Sequence, residues 1–512
     1  MAQTSIRQAI LGVSGVILFS KLLGFLREMV VAARFGTSRE YDIFLIAVAA
    51  PVFFTVVVIN ATNFLIIPFL SRRMSEKSEG GWKSFWSLFS SFLPIVAGLT
   101  VIIMITAPAL VKIVSPSLSG ETLRQGIQYC RIFSLMLMLG FLESFLRSAL
   151  NVKKEFAYPA FGIIIFNIVA TAAIYFFSGK LSVIAILIGF LAGTLCQILF
   201  LFLRLLKFDI LEHFHFRFFN NDVKQLFTLG GMVIIVELLS GPYFLIDRYF
   251  ASDLASGVIS ALNYCGLLIM IPVSIAGSAI ATVTFPYLSD RINNNRGADF
   301  ARLLHQTIRL SLVIGLPCTI FYMAFSRELV AGVFLRGAFD LNSLKITSDV
   351  LLFLAPCVIF HFLYTIFMQS CYACGKQKYV MMIIIVALVL KFVLTGLFKS
   401  LLDYPGIPLA SAILEMLTVA MLAFVLTREG RIIGVRKLLT TSLKVMVASF
   451  PIIVMAIFYR NLPDFSLGMN LVSRLRVIPA GVIGLIFFAA IAYWLKVEEV
   501  HSFVNYLRKG WR

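Results

Sequence analysis

Acidic residues are scarce in this chain: 25 Asp and Glu stand against 44 Lys and Arg in 512 residues, and charged residues make up only 13% of the total. No acidic cluster occurs, and no connection between apolar runs is long enough to fold as a domain of its own. That excludes a membrane glycosyltransferase or polymerase, which needs catalytic carboxylates and a substantial extramembrane domain. Cysteines number seven, nearly all inside apolar runs, and histidines five. Cys371-Tyr-Ala-Cys374 has CxxC spacing, but with no second CxxC and no histidine pair nearby it does not make a zinc or redox site. The cysteines read as small buried hydrophobes, and no metal or cofactor is expected. A cleavable signal peptide is not expected either, because the first apolar segment is long, interrupted by charge and lacks a small-residue cleavage site.

What the chain has in abundance is apolar length. It is 60% hydrophobic with a mean hydropathy of +0.96. Apolar runs of about 20 residues, the length a helix needs to cross about 30 Å of hydrocarbon, recur from end to end. The pattern predicts an all-α polytopic membrane protein of about 14 spans, near 8–34, 43–69, 84–112, 123–150, 158–178, 181–206, 225–248, 258–288, 302–325, 346–372, 379–399, 405–427, 439–459 and 473–495. The net charge of +19 invites a nucleic-acid reading, but the basic residues sit in short clusters between spans. One set of alternate connections holds 26 Lys and Arg and the opposite set about 12. The positive-inside rule then places both termini in the cytoplasm.

The chain also repeats itself. Pro68-Phe69-Leu70-Ser71-Arg72 closes the second span and returns as Pro286-Tyr287-Leu288-Ser289 before Arg291, closing the eighth. Arg147-Ser148 with Lys153-Lys154 is echoed by Gln369-Ser370 with Lys376 and Lys378. The two separations, Pro68 to Pro286 and Ser148 to Ser370, are nearly equal, so two six-span lobes in parallel orientation are expected, at 1–206 and 225–427. Transporters commonly place substrate where such repeats meet. A cytoplasmic interfacial linker at 207–224 would join the lobes, carrying His213-Phe214-His215-Phe216-Arg217-Phe218-Phe219. Two extra spans at 439–495 and an amphipathic cytoplasmic tail at 496–512 would follow, the tail with Val500, Phe503, Val504 and Leu507 on one face.

Charge inside the spans points to function. Lys21 and Arg27 lie within the first apolar segment, with Gly24 between them. A cation near the bilayer centre costs about 2.5–3.5 kcal/mol, so it usually faces a protein-lined aqueous cavity. A cationic wall of that kind suits an anionic substrate. Glu237, Lys391 and Glu415 are deep ionisable residues further along, and Lys391 is expected within salt-bridge reach of Glu237 or Glu415. Arg131 and Glu143, twelve residues apart in the fourth span, each need a partner elsewhere.

The first-span motif, the paired Pro-x-Leu-Ser closures and Ala251-Ser252-Asp253-Leu254-Ala255-Ser256-Gly257 before Tyr264 and Pro272 together resemble the MurJ (MviN) family. Its members are lipid II flippases of the multidrug/oligosaccharidyl-lipid/polysaccharide exporter superfamily, and the resemblance covers essentially the whole chain. It implies a V-shaped bundle whose central cavity opens alternately to the two sides. It also implies that Ser20-Lys21-Leu22-Leu23-Gly24-Phe25-Leu26-Arg27-Glu28 carries the substrate motif, with Asp42 as the aspartate opening the second span. Three positions depart from the family. Its arginine four residues after the second-span proline is Thr55, its arginine five residues before the eighth-span proline is Leu267, and the acidic position two residues before that proline is Met270. Lys21 replaces an arginine, exchanging a planar fork for a point charge. Sodium-linked relatives carry an aspartate in span seven and Asn or Asp in span eleven. By resemblance the latter positions are Lys391 and Thr395, so that a lysine would stand where sodium binds.

The expected function is a flippase in the bacterial inner membrane for an undecaprenyl-diphosphate-linked glycan precursor, lipid II or another lipid-linked oligosaccharide for surface polysaccharide. A small-molecule antiporter of the drug-exporter type ranks lower, since such a site favours acidic and aromatic walls. The expected partners are the lipid-linked diphosphate and membrane lipids, with no nucleic acid. The chain is expected to be monomeric, with cell-wall synthesis proteins as candidate partners.

Overall fold

The structure is a computed structural model that describes residues 2–76, 78–212, 214, 218, 223, 234–239, 241–294, 296–431, 435–461, 477–502 and 505. The described residues are almost wholly helical and include no strand. Ten of their helices are long and apolar enough to cross a membrane. Leu341–Leu354 and Cys357–Ala373, bent by 41° where they meet, are long and apolar enough for an eleventh crossing when taken together as one broken span. The other three expected spans are not among these crossings. The first helix, Ala2–Phe35, carries Lys21, Arg27, Glu28 and Arg34 among its apolar residues. The seventh span, 225–248, lies partly outside the described residues. The last is represented by the shorter apolar helix Pro479–Trp494. Large apolar side chains such as Ile105, Phe176, Leu401 and Trp494 are exposed, as hydrocarbon requires of helices whose backbone polar groups are satisfied internally.

The chain divides into two compact units, residues 1–260 with 336–339, and 261–335 with 340–512. The first unit contains α1 (Ala2–Phe35), α2 (Arg39–Ala47), α3 (Ala49–Glu76), α4 (Ser78–Val114), α5 (Gly120–Val152), α6 (Ala157–Leu181) and α7 (Ile184–Leu205). Its core is rich in edge-on aromatic contacts: Trp82, Phe85, Phe89, Phe141 and Phe145 pack with ring centroids 4.9–6.4 Å apart. Ile210 and Val223 of the linker are buried in the same core, and Phe214 packs edge-on against Trp86 at 4.6 Å. The rest of the His213–Phe219 run except Phe218 lies outside the described residues, as does the tail beyond Ser502 except Asn505. In the second unit, Val445, Ile452, Ala456 and Tyr459 pack with Ala480, Phe488 and Ala492 against Val313 and Phe325, which anchors the two extra helices on Gly297–Ala324.

Turn geometry recurs at one constant sequence offset. Ser182 (φ 49°, ψ −136°) and Asp403 (φ 60°, ψ −140°) end their helices in the same left-handed turn. Ser119 and Asp340, separated by the same interval, both begin helices as extended N-caps. At the ends of α5 and of Cys357–Ala373, Lys154 and Gly375 take positive φ at that interval again, while Glu155 and Lys376 donate back to Leu150 and Cys371 at 2.9 and 2.8 Å. Pro68 and Pro286 both lie inside helices near their C-terminal ends, each two residues before a fully buried leucine, Leu70 or Leu288.

Candidate functional site

The first-span motif is held by α6. Arg27 donates from Nη2 and Nε to Glu28 Oε1 at 2.7 and 3.2 Å, and from Nη1 to Asn167 Oδ1 at 3.1 Å. Its guanidinium lies 5.3 Å from the Phe166 ring centroid and 4.7 Å from that of Phe190, so the fork meets two aromatic quadrupoles. Asn167 is buried and also donates to the Ser20 and Ile163 carbonyls at 3.3 and 3.0 Å. A Cβ on Gly24 would sit 3.6 Å from Asn167 Oδ1, an ordinary van der Waals contact, so the packing of α6 on α1 between the two cations does not itself require glycine. Glu28 is buried and Lys21 exposed. The structure therefore gathers Arg27 and Glu28 into one compact charge-paired box and leaves the Lys21 ammonium outside it.

Asp42 works differently. It is buried, with Oδ1 accepting from the Ser260 N–H at 2.8 Å and from the Ser260 hydroxyl, and Oδ2 accepting from the Gly257 N–H. Gly257 has φ +98°, and a Cβ there would lie 2.8 Å from Thr37, so only glycine fits the turn presenting these amides. Burial raises the Asp42 carboxyl to about 6, against the pull of its three donors. Tyr41 is its buried neighbour. Burial pushes the Tyr41 phenol well above its ordinary value; Glu28 and Asp42 raise it further, while Arg248 and Arg27 lower it.

Polar partners are seen for each of the deep ionisable residues expected to couple ions. Glu237 accepts from Asn60 Nδ2 at 2.9 Å in the first unit. In the second, Lys391 is 2% exposed and donates to Ser411 Oγ at 2.6 Å. Thr395 lies one turn further along the same helix, fully buried, with no hydrogen-bond partner for its Oγ1 among the described residues. Glu415 lies one turn after Ser411 and faces His361 Nδ1 at 3.3 Å, while its Oε2 is buried without a partner among the described residues. Lys391 thus meets the helix of Glu415 at Ser411. In the fourth span, Glu143 accepts from Gln197 at 2.8 Å and pairs with Arg147 at 3.2 Å, and Arg131 donates to the Met104 carbonyl.

Sequence reasoning missed Asn167, Phe166 and Phe190 around Arg27, Ser260 on Asp42, Asn60 on Glu237, and Ser411 and His361 in the second unit. A buried amide or imidazole inside an otherwise apolar span was the available signal for Asn60, Asn167 and His361. No group of three or more potential metal ligands occurs among the described residues.

A chain with ten helices long and apolar enough to cross a membrane, gathered into two compact units, has the fold of known membrane transporters. An inward-facing multidrug resistance MATE family transporter of the MOP superfamily superposes with a TM-score of 0.67 at 15% identity, covering 83% of this chain and 96% of its own. A structure of lipid II flippase MurJ in an inward closed conformation superposes more fully, with a TM-score of 0.76 at 22% identity over 94% of this chain and 99% of that one. The family model for lipid II flippase MurJ matches residues 31–475, and the chain belongs to that family. The probable lipid II flippase MurJ of Buchnera aphidicola subsp. Acyrthosiphon pisum is 28% identical over 417 residues, 79% of this chain and 80% of its own length.

Proposed function

We propose that this protein flips a lipid-linked glycan diphosphate of the lipid II type across the bacterial inner membrane, by alternating access and without chemical change to the substrate. The observation that carries this reading is the Arg27 box. A guanidinium within the first apolar segment, braced by Glu28, Asn167 and two aromatic rings, is a positioned cation in a helix expected to span the membrane, and a diphosphate headgroup is the anion that such a cation suits. Lys21 adds a mobile point charge to the same helix. Glu28 holds Arg27 until substrate displaces it, and Asp42 fixes the Gly257–Ser260 turn. Glu237, Lys391, Thr395 and Glu415 form the ion-coupling set, with the Lys391 ammonium in place of a bound sodium ion. Two six-helix lobes, 1–206 and 225–427, with two extra helices after them and both termini cytoplasmic, complete the assignment. The constant offset of the recurring turns and the positive-inside charge bias support it.

The test is depletion of the protein in its host, followed by identification of the lipid-linked intermediate that accumulates on the cytoplasmic face. Lipid II accumulation is expected. Accumulation of a different lipid-linked oligosaccharide reassigns the glycan, and no accumulation refutes the flippase reading.

A further inference from the structure

The substrate motif is short of positive charge, because the two arginines expected by resemblance in the second and eighth spans are Thr55 and Leu267. We propose that Arg248 is a second guanidinium of the diphosphate site, restoring beside Arg27 the charge those two positions lack. The proposal rests on the flippase reading and names one further residue of the same site.

Three independent observations support it. First, Arg248 lies in the helix Tyr243–Ala251 with the Phe244 ring centroid 5.0 Å from its Cζ, and its Nη1 is buried with no hydrogen-bond partner among the described residues. A buried N–H of a cation that meets no acceptor is costly, and such a group needs an explanation. An anionic ligand that arrives and leaves supplies one. Second, Arg248 shares surroundings with the first-span motif. Tyr41 is buried, and the charges of Glu28, Arg248, Arg27 and Asp42 all act on its phenol, so Arg248 belongs to the same electrostatic neighbourhood as Arg27 and Glu28. Third, Arg27 and Arg248 are separated by the same interval as Ser182 and Asp403, the offset at which helix ends and caps recur. Each lies nine residues before a glycine of positive φ, Gly36 at +54° and Gly257 at +98°. Arg248 thus occupies the repeat position of Arg27.

The charges facing this group are accounted for. Asp247 is adjacent in sequence and acts on Arg248, Glu28 is engaged by Arg27, and Asp42 by the Gly257–Ser260 turn. A diphosphate adds the negative charge that two guanidiniums, one of them with a free donor, are arranged to take.

The experiment measures binding of undecaprenyl diphosphate to the purified full-length protein, with inorganic pyrophosphate as competitor, alongside thermal unfolding. R248Q should weaken binding about tenfold to a hundredfold, the range for hydrogen bonds to charged groups, with little change in unfolding temperature. R248K should recover part of the loss, as a point charge without the fork. The double variant T55R/R248Q should recover part as well, by restoring a cation where the resemblance expects one. Unchanged affinity in R248Q overturns the proposal and leaves the flippase reading intact. A loss that neither R248K nor T55R recovers marks Arg248 as structural and also overturns it. If the unaltered protein fails to bind, the flippase reading itself falls and the proposal with it.

Discussion

Replacing Asp42 by Asn tests the reasoning about buried charge most sharply, because burial and hydrogen bonding act on this carboxyl in opposite directions. Asp42 precedes the crossing segment Ala49–Ser75 and lies outside it. Its carboxyl is raised from 3.8 to about 6, chiefly by burial, in spite of donors from Ser260 and Gly257. A carboxyl with a raised folded pKa takes up its proton earlier in the folded chain than in the unfolded one. Its contribution to stability is therefore greatest below about pH 4 and declines as pH rises through about 6. At about 1.36 kcal/mol per pH unit, the change between those limits is about 3 kcal/mol. Asparagine keeps the shape but cannot titrate. The unfolding free energy of the wild type relative to D42N should therefore fall by about 3 kcal/mol between pH 4 and pH 7. The Asn amide also sets a donor against the Gly257 N–H, an offset of about 1–3 kcal/mol that does not vary with pH. Paired thermal unfolding curves across that range give the difference directly. Infrared spectroscopy should show a protonated-carboxyl band that disappears near pH 6 in the wild type and is absent from D42N. A pH-independent stability difference, or a band with a midpoint near 4, refutes the account.

Asn167→Ala removes one charge-assisted hydrogen bond from Arg27 and the bracing of the Ser20 carbonyl. Transport of lipid II in vesicles should fall about tenfold or more, while Lys21→Ala should lower substrate affinity without loosening the Arg27 box. Arg309 is buried and pairs with Glu498 at 2.6 Å and Glu499 at 2.8 Å, so R309A should destabilise the protein by about 2 kcal/mol in thermal unfolding, a value discounted for the exposure of Glu498. Hydrogen bonds from Lys437 and Arg309 hold the Glu498 carboxyl below its usual value, so the stability it gives is present above about pH 4.5 and lost as pH falls through the lowered pKa; R309A should shrink that acid-side loss. With the Lys391 ammonium proposed in place of a bound sodium ion, transport by the unaltered protein should be the same in sodium and in choline. Lys391→Asn should abolish transport or make it sodium-dependent, and a strict sodium requirement in the wild type refutes the substitution.

The spans and the charges within them were legible in the sequence because both depend on composition along a single helix. The partners of those charges were not, since they depend on the rotation and register of a neighbouring helix that no local pattern encodes. Arg27 could be singled out within the first apolar segment, but Phe166, Asn167 and Phe190 belong to other helices, whose packing against it no local pattern encodes. Lys391 illustrates the same gap. Burial demanded a polar partner, and Ser411, which accepts a hydrogen bond from Lys391 across the neighbouring helix, could be found only from the register of the two helices.

The closing ion pairs of the two units have opposite polarity. After α5, Glu155 holds Arg204 at the end of α7 at 2.5 Å. At the matching turn of the second unit, Lys376 holds Glu429, just past the helix Gly406–Arg428, at 2.6 Å. Two halves built on the same turn framework risk exchanging helices while the chain inserts, since apolar surfaces discriminate poorly between near-identical partners. Here an exchange would set Arg204 against Lys376 and Glu429 against Glu155, so each half's last helix is repelled by the other half's turn. The reversed pairs therefore disfavour such an exchange, by the small free energy that a partly exposed ion pair supplies.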